Sequence, residues 1–340
     1  MKTKRPLMGA IAVLLLAGAA LTGCGKGETA QSNSDGKSKG ATYTFRLADT
    51  HPPDYPTVIG DKKFAELVNE RTNGRIKIEV FPSGQLGEEK AVLEQIQLGA
   101  IDFTRTNANP LAEFNKEFSV LGLPYIFESD EHLWRFLESE TGERMLNNLE
   151  KSRMKGLAYY SSGARSFYSR NPLTSIDDLK GMKIRVQQSK LNIDLVSALG
   201  ASATPMPYSE VFSGLQTGVI DGAENNFPSY YSSNHYQAAK HILLDKHQRT
   251  PEVLLVSKAT WDKLSPEDQQ IIKQAALDSV KTQRESWEKW EKESEQKVKE
   301  AGVTITEVTD FKPWQEAVKP VVEKYGAEFK DILQAIEKAR

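Results

Sequence analysis

One stretch constrains the fold more than any other. Ser265-Pro266-Glu267-Asp268 is a strong helix start, with Ser as N-cap, Pro at the first position and acids in the first turn. From there to Ala301-Gly302 the chain contains no further Pro or Gly. It is dense in Glu, Lys and Gln, with Ile271, Ile272, Ala275, Val280, Trp287 and Trp290 interspersed. A helix of about 35 residues is about 50 Å long at a rise of 1.5 Å per residue. That is too long for one small lobe. Such a helix braces two bodies or mediates a dimer, and its charge run is most simply a solvated face.

The rest of the chain reads as two bodies of one kind. Residues 43–48 alternate and form a strand, 58–71 carry a helical apolar stripe (Phe64, Leu67, Val68), and 75–81 alternate again. A second helix, 88–98, buries Val92, Leu93 and Ile96 and ends at Gly99, followed by a short strand over 101–104. The order strand–helix–strand–helix–strand favours a parallel sheet with helical crossovers. It recurs later as a strand at 182–187, helices at 191–199 and 208–217, and a strand at 219–223. One junction is nearly duplicated: Gln97-Leu98-Gly99-Ala100-Ile101-Asp102 parallels Gln216-Thr217-Gly218-Val219-Ile220-Asp221. Residues 311–339 add further helix.

The N-terminus is an export signal. Lys2, Lys4 and Arg5 precede an uncharged apolar stretch from 7 to 21, which closes on Leu21-Thr22-Gly23-Cys24. Spanning a membrane takes roughly 20 apolar residues, so this segment reads as a leader. Cys24 is the single cysteine of the chain and sits at the cleavage point, which makes it a lipidation candidate and rules out an internal disulfide. The leader and a polar tether over 24–42 precede a folded body over 43–340. Removing the three leader cations leaves 41 basic against 46 acidic residues, a net charge of −5 with His neutral. That balance argues against a nucleic-acid partner.

Enzyme signatures are thin. The chain has no GxGxxG, P-loop, GxSxG or HExxH, and its five histidines show no metal-ligand spacing. Neither a cofactor nor a metal is indicated. Arg165 and Arg185 instead lie in apolar strand contexts, and Asn225 and Asn226 follow a strand. In parallel α/β sheets ligands sit beyond the carboxyl ends of strands. Two arginines there would fork onto a carboxylate, and asparagines suit hydroxyls. For each arginine alone, a structural ion pair is the competing reading.

Several segments together resemble the DctP-type solute-binding proteins of tripartite ATP-independent periplasmic (TRAP) transporters. They are Phe81-Pro82-Ser83-Gly84-Gln85-Leu86-Gly87, the run Asp178-Leu179-Lys180-Gly181-Met182-Lys183-Ile184-Arg185-Val186, the run 200–207, Tyr208-Ser209-Glu210-Val211, and 215–225. The resemblance covers nearly all of 43–325. It implies an α/β fold like that of type II periplasmic binding proteins, with two discontinuous lobes around a hinged cleft and a long rear helix. Lobe I would be about 43–165 plus a segment near 255, and lobe II about 166–254. The helix at about 265–301 and the C-terminal helices complete the body. The family is not enzymatic; it delivers solutes to membrane subunits.

By the same resemblance, Arg185 anchors the ligand carboxylate, with Arg165 as second arginine, Asn225 and Gln188 as contacts, and Tyr208 as cover. Asp49, His51, Arg105 and Asn107 occupy positions that vary with substrate. Arg105, if it faces the cleft, favours a second acidic group. Asn107, His51, Gln188 and Asn225 favour a hydroxylated acid such as glucuronate or galacturonate. A C4-dicarboxylate receptor is the alternative within the family. A receptor with two hinge strands and no rear helix, a secreted lipoprotein enzyme acting on acidic sugars, and a partnership with a sensor-kinase ectodomain are further readings.

Overall fold

A computed structural model describes residues 40–340. The leader, Cys24 and the tether up to residue 39 lie outside the described residues. Among the described residues, eleven strands form two sheets. In chain order they are β1 (Tyr43–Ala48), β2 (Ile76–Phe81), β3 (Phe103–Asn107), β4 (Met154–Tyr160), β5 (Arg165–Ser169), β6 (Lys183–Val186), β7 (Ser202–Pro205), β8 (Gly222–Asn225), β9 (His241–Gln248), β10 (Glu252–Ser257) and β11 (Thr304–Glu307). One sheet, in lobe I, has the order β2-β1-β3-β10-β4; the other, in lobe II, has β11-β9-β5-β8-β6-β7.

The sheets are mixed rather than parallel throughout. β1, β2 and β3 are parallel, as are β6, β7 and β8, while β10 and β5 run against their neighbours. The cause is the chain's path. It leaves lobe I at the carboxyl end of β4 and enters lobe II as β5, then leaves at the end of β9 and returns as β10. A strand arriving from the other lobe starts at the cleft, where the resident strands end, so it must run antiparallel.

The two halves share their junction geometry. Gly99 and Gly218 cap their helices in the left-handed region, at φ 72° and 76°. Ile101 and Ile220 are buried behind them. The following aspartates do the same job: Asp102 accepts from the Arg46 backbone N–H and Asp221 from that of Lys183, at 2.9 and 2.8 Å. These side-chain bonds occupy the place of the first ladder rung. The strands therefore begin at Phe103 and Gly222 rather than at 101 and 219, and Val219 is exposed.

The long helix spans Pro266–Glu300, and its Ser265 hydroxyl accepts from the Asp268 N–H at 3.1 Å. Ile272, Ala275 and Ala276 enter a core cluster of lobe I, whereas Val298 enters one of lobe II. Between them, Gln283 takes both backbone groups of Ser161, accepting from its N–H at 2.8 Å and donating to its carbonyl at 2.9 Å. Helix Pro56–Arg71 approaches so closely that a Cβ on Gly60 would lie 2.8 Å from Gln283 Cβ. One helix thus braces both lobes and grips the connection between them. The C-terminal region forms two helices, Lys312–Gly326 and Lys330–Lys338. Among the described residues no helix is long and apolar enough to cross a membrane.

Candidate functional site

The carboxyl ends of β1, β3, β6 and β8 and the starts of β5 and β10 converge on the space between the lobes. A cavity lies there, with about 320 Å³ free of atoms once the open solvent at its mouth is counted. His51, Arg105 and Asn107 line it from lobe I, and Arg165, Arg185, Tyr208 and Asn225 from lobe II. Seven residues expected from sequence thus meet at one place. Asp49 stands behind the wall, bonded to Arg105. Gln188 lines a small adjoining pocket, and its neighbour Gln187 takes the place in the main cavity.

The three arginines differ in their partners. Arg165 is committed to lobe II: it pairs with the Glu224 carboxylate and donates to Asn225 Oδ1 at 3.0 Å. Burial pushes the Glu224 carboxyl up, but Arg165 and His247 overcome this and hold it at about 2. Behind it, His247 lies 2.8 Å from Asp245 and 3.7 Å from Glu224. Burial opposes its charge, yet those acids raise it to about 9.

Arg105 is surrounded by acids. Its guanidinium meets Asp49, Glu89 at 3.0 Å and Glu252 at 2.9 Å. Burial pushes the Asp49 carboxyl up, but Arg105 and His51 hold it well below the usual carboxylate range. Glu89 is displaced upward by burial, which Arg105 only partly offsets. The expectation that Arg105 offers a free positive charge for a second acidic group therefore fails. Three carboxylates already surround that one cation, and the lobe I wall is acceptor-rich. Asn107 belongs to the same network, donating to Glu252 Oε1 at 2.8 Å.

Arg185 stands apart. Its Nε and Nη2 donate to the Met206 carbonyl at 3.0 and 2.8 Å, and among the described residues no carboxylate pairs with it. It is 3% exposed. Burial without an ion-pair partner lowers its pKa below the usual guanidinium value. The same cation, after burial itself, helps depress the neighbouring His235 to about 3. Arg185 is thus the cation in the cleft with unmet demand for an anion.

Tyr208 closes one side, its ring 5.3 Å from His51 and 5.7 Å from His235. Across the lobes, Tyr55 Oη lies 2.8 Å from Ser229 Oγ. Sequence reasoning missed Glu89, Glu252 and Glu224. Glu89 passes for a helix-start acid. Glu252 and Glu224 carry a better signal, since each is the lone acid of a short, fully buried strand.

Comparison with known proteins agrees with this architecture. Residues 47–328 match the family model described as bacterial extracellular solute-binding protein, family 7. A solute-binding protein of Chromohalobacter salexigens is 40% identical over 290 residues, 85% of this chain and 86% of that protein. A TRAP periplasmic solute-binding protein of a Bradyrhizobium species, solved in complex with α/β-d-galacturonate, is similar with a TM-score of 0.85 and 43% identity. The match covers 87% of this chain and 99% of that one. One from Pseudomonas putida F1, solved with bound d-glucuronate, gives 0.85 and 38%, covering 87% and 97%. The chain belongs to the DctP family of bacterial extracellular solute-binding proteins.

Proposed function

We propose that the chain is the extracytoplasmic receptor of a TRAP transporter for a hexuronate such as glucuronate or galacturonate. The observation that carries this is the polarity of the cavity. On one wall Arg185 has no carboxylate partner among the described residues; on the other, Asp49, Glu89 and Glu252 surround a single arginine. A monoanion rich in hydroxyls satisfies both walls. Its carboxylate forks onto Arg185, and its hydroxyls donate to Glu89 and Glu252 and meet Asn107 and Asn225. A C4-dicarboxylate would place its second charge against the acidic wall, where like charges repel strongly at low dielectric. The uronates bound to the related Bradyrhizobium and Pseudomonas proteins support the same solute class. Cys24 carries a lipid that holds the body at the outer face of the membrane, and closure of the lobes is the state that the membrane subunits receive. The test is a thermal-shift panel of organic acids on residues 42–340. Hexuronates should stabilise the protein by several degrees while succinate and malate leave it unchanged; the reverse pattern refutes the assignment.

A further inference from the structure

The walls of the cavity are shielded from solvent: Arg105, Arg165, Arg185 and Asn225 are 1%, 3%, 3% and 4% exposed. A solute reaches them only if the lobes separate, so contacts bridging the lobes bear on affinity even where they touch no ligand. Two such contacts share an unusual form. Helix Lys190–Ala198 of lobe II has Ser189 at its N-cap, yet that hydroxyl makes no capping bond and is buried without a partner among the described residues. The first N–H of the helix, that of Lys190, is taken instead by lobe I: Glu113 Oε1 accepts it at 2.8 Å. The helical stretch beginning at Tyr208 follows Pro207, which has no side-chain acceptor, and there Glu88 Oε2 of lobe I accepts the Tyr208 N–H at 3.2 Å.

We infer that Glu113, seconded by Glu88, is a latch: it caps helix Lys190–Ala198 of the opposite lobe and sets solute affinity by stabilising the closed cleft. A helix start carries unsatisfied N–H groups and a partial positive charge, so a carboxylate there is favoured. When the lobes part, both glutamates withdraw and the N–H groups turn to water. Glu113 lies outside the main cavity. Its contact with the Lys190 ammonium is long, at 3.8 Å, and that side chain is 82% exposed. The backbone bond therefore carries the effect, and the ammonium is dispensable.

The latch rests on the hexuronate reading only for its probe. Removing an N-cap acceptor corresponds to about a 3- to 30-fold change in an equilibrium constant. Glu113→Ala should weaken d-galacturonate binding roughly tenfold, through faster dissociation. Glu113→Gln, which keeps an acceptor but loses the charge, should fall between Ala and wild type. Lys190→Ala should stay within about twofold of wild type. Glu113→Ala within twofold of wild type, or Lys190→Ala as harmful as Glu113→Ala, overturns the latch. If wild type does not bind d-galacturonate, the hexuronate reading fails on its own. The latch is then decided by the distance between spin labels on the two lobes of the unliganded chain. Glu88→Ala/Glu113→Ala should move that distance to longer values, and an unchanged distribution rejects the latch.

Discussion

Replacing Arg185 by methionine separates binding from folding more cleanly than any other change in the cleft. The guanidinium is buried, and its one polar partner among the described residues is the Met206 carbonyl. On the proposed function a solute carboxylate supplies the counter-charge, and truncating one member of a desolvated charge pair costs about 2–5 kcal/mol. That corresponds to a loss of affinity of roughly 30- to 5,000-fold. The unliganded protein responds differently. Methionine loses the two donations to the Met206 carbonyl, worth about 1.5–3 kcal/mol as hydrogen bonds from a charged group, but it also removes an uncompensated buried charge whose desolvation offsets that loss. Stability should stay within about 1 kcal/mol of wild type by this balance. Arg165→Met is the control. It leaves Glu224 buried without its close guanidinium partner, with only the His247 imidazole 3.7 Å away, and breaking a buried pair in this way commonly costs about 3–5 kcal/mol. Calorimetric titration with d-galacturonate and denaturant unfolding of the unliganded chain measure both effects. An Arg185→Met variant binding within threefold of wild type refutes the assignment of the anchor. Equal destabilisation by both substitutions refutes the difference in pairing on which it rests.

Glu89→Gln should relax the acidic wall and let succinate bind detectably; a variant as blind to succinate as wild type contradicts the charge argument. His247 is raised from 6.5 to about 9 in the fold, so its stabilisation is complete below the unfolded value and fades as pH rises through about 9. Denaturant unfolding at about pH 6 and about pH 9.5 should show that loss in wild type and a flatter dependence in His247→Gln. Cys24→Ser should release the full-length protein from membranes on fractionation, and continued anchoring refutes lipidation at that residue.

The sequence carried the periodic and capped parts of the fold well. Ser265 and the unbroken run behind it marked a helix that the structure closes at Glu300, because cap chemistry and the absence of breakers act locally. The duplicated Gly-x-Ile-Asp junctions were legible for the same reason. The exact strand starts were not, since Asp102 and Asp221 displace the first ladder rung through bonds to residues 56 and 38 positions away. The direction of β5 and β10 was hidden as well, for it depends on the chain changing lobes. At the site, Arg185 and Asn225 came from motif position. The fate of Arg105 did not: whether an arginine is free or neutralised is decided by Asp49, Glu89 and Glu252, which meet only in the folded chain.

The central claim is that one carboxylate and a set of hydroxyls are read by opposite walls of one cavity. Calorimetric titration of residues 42–340 with d-galacturonate, d-galactose and succinate isolates each half. Galacturonate should bind while galactose, lacking the carboxylate, and succinate, lacking the hydroxyls, each bind at least about a hundredfold more weakly, a gap of about 2.7 kcal/mol. Galactose binding as tightly as galacturonate would contradict the role of Arg185, and succinate binding as tightly would contradict the acidic wall.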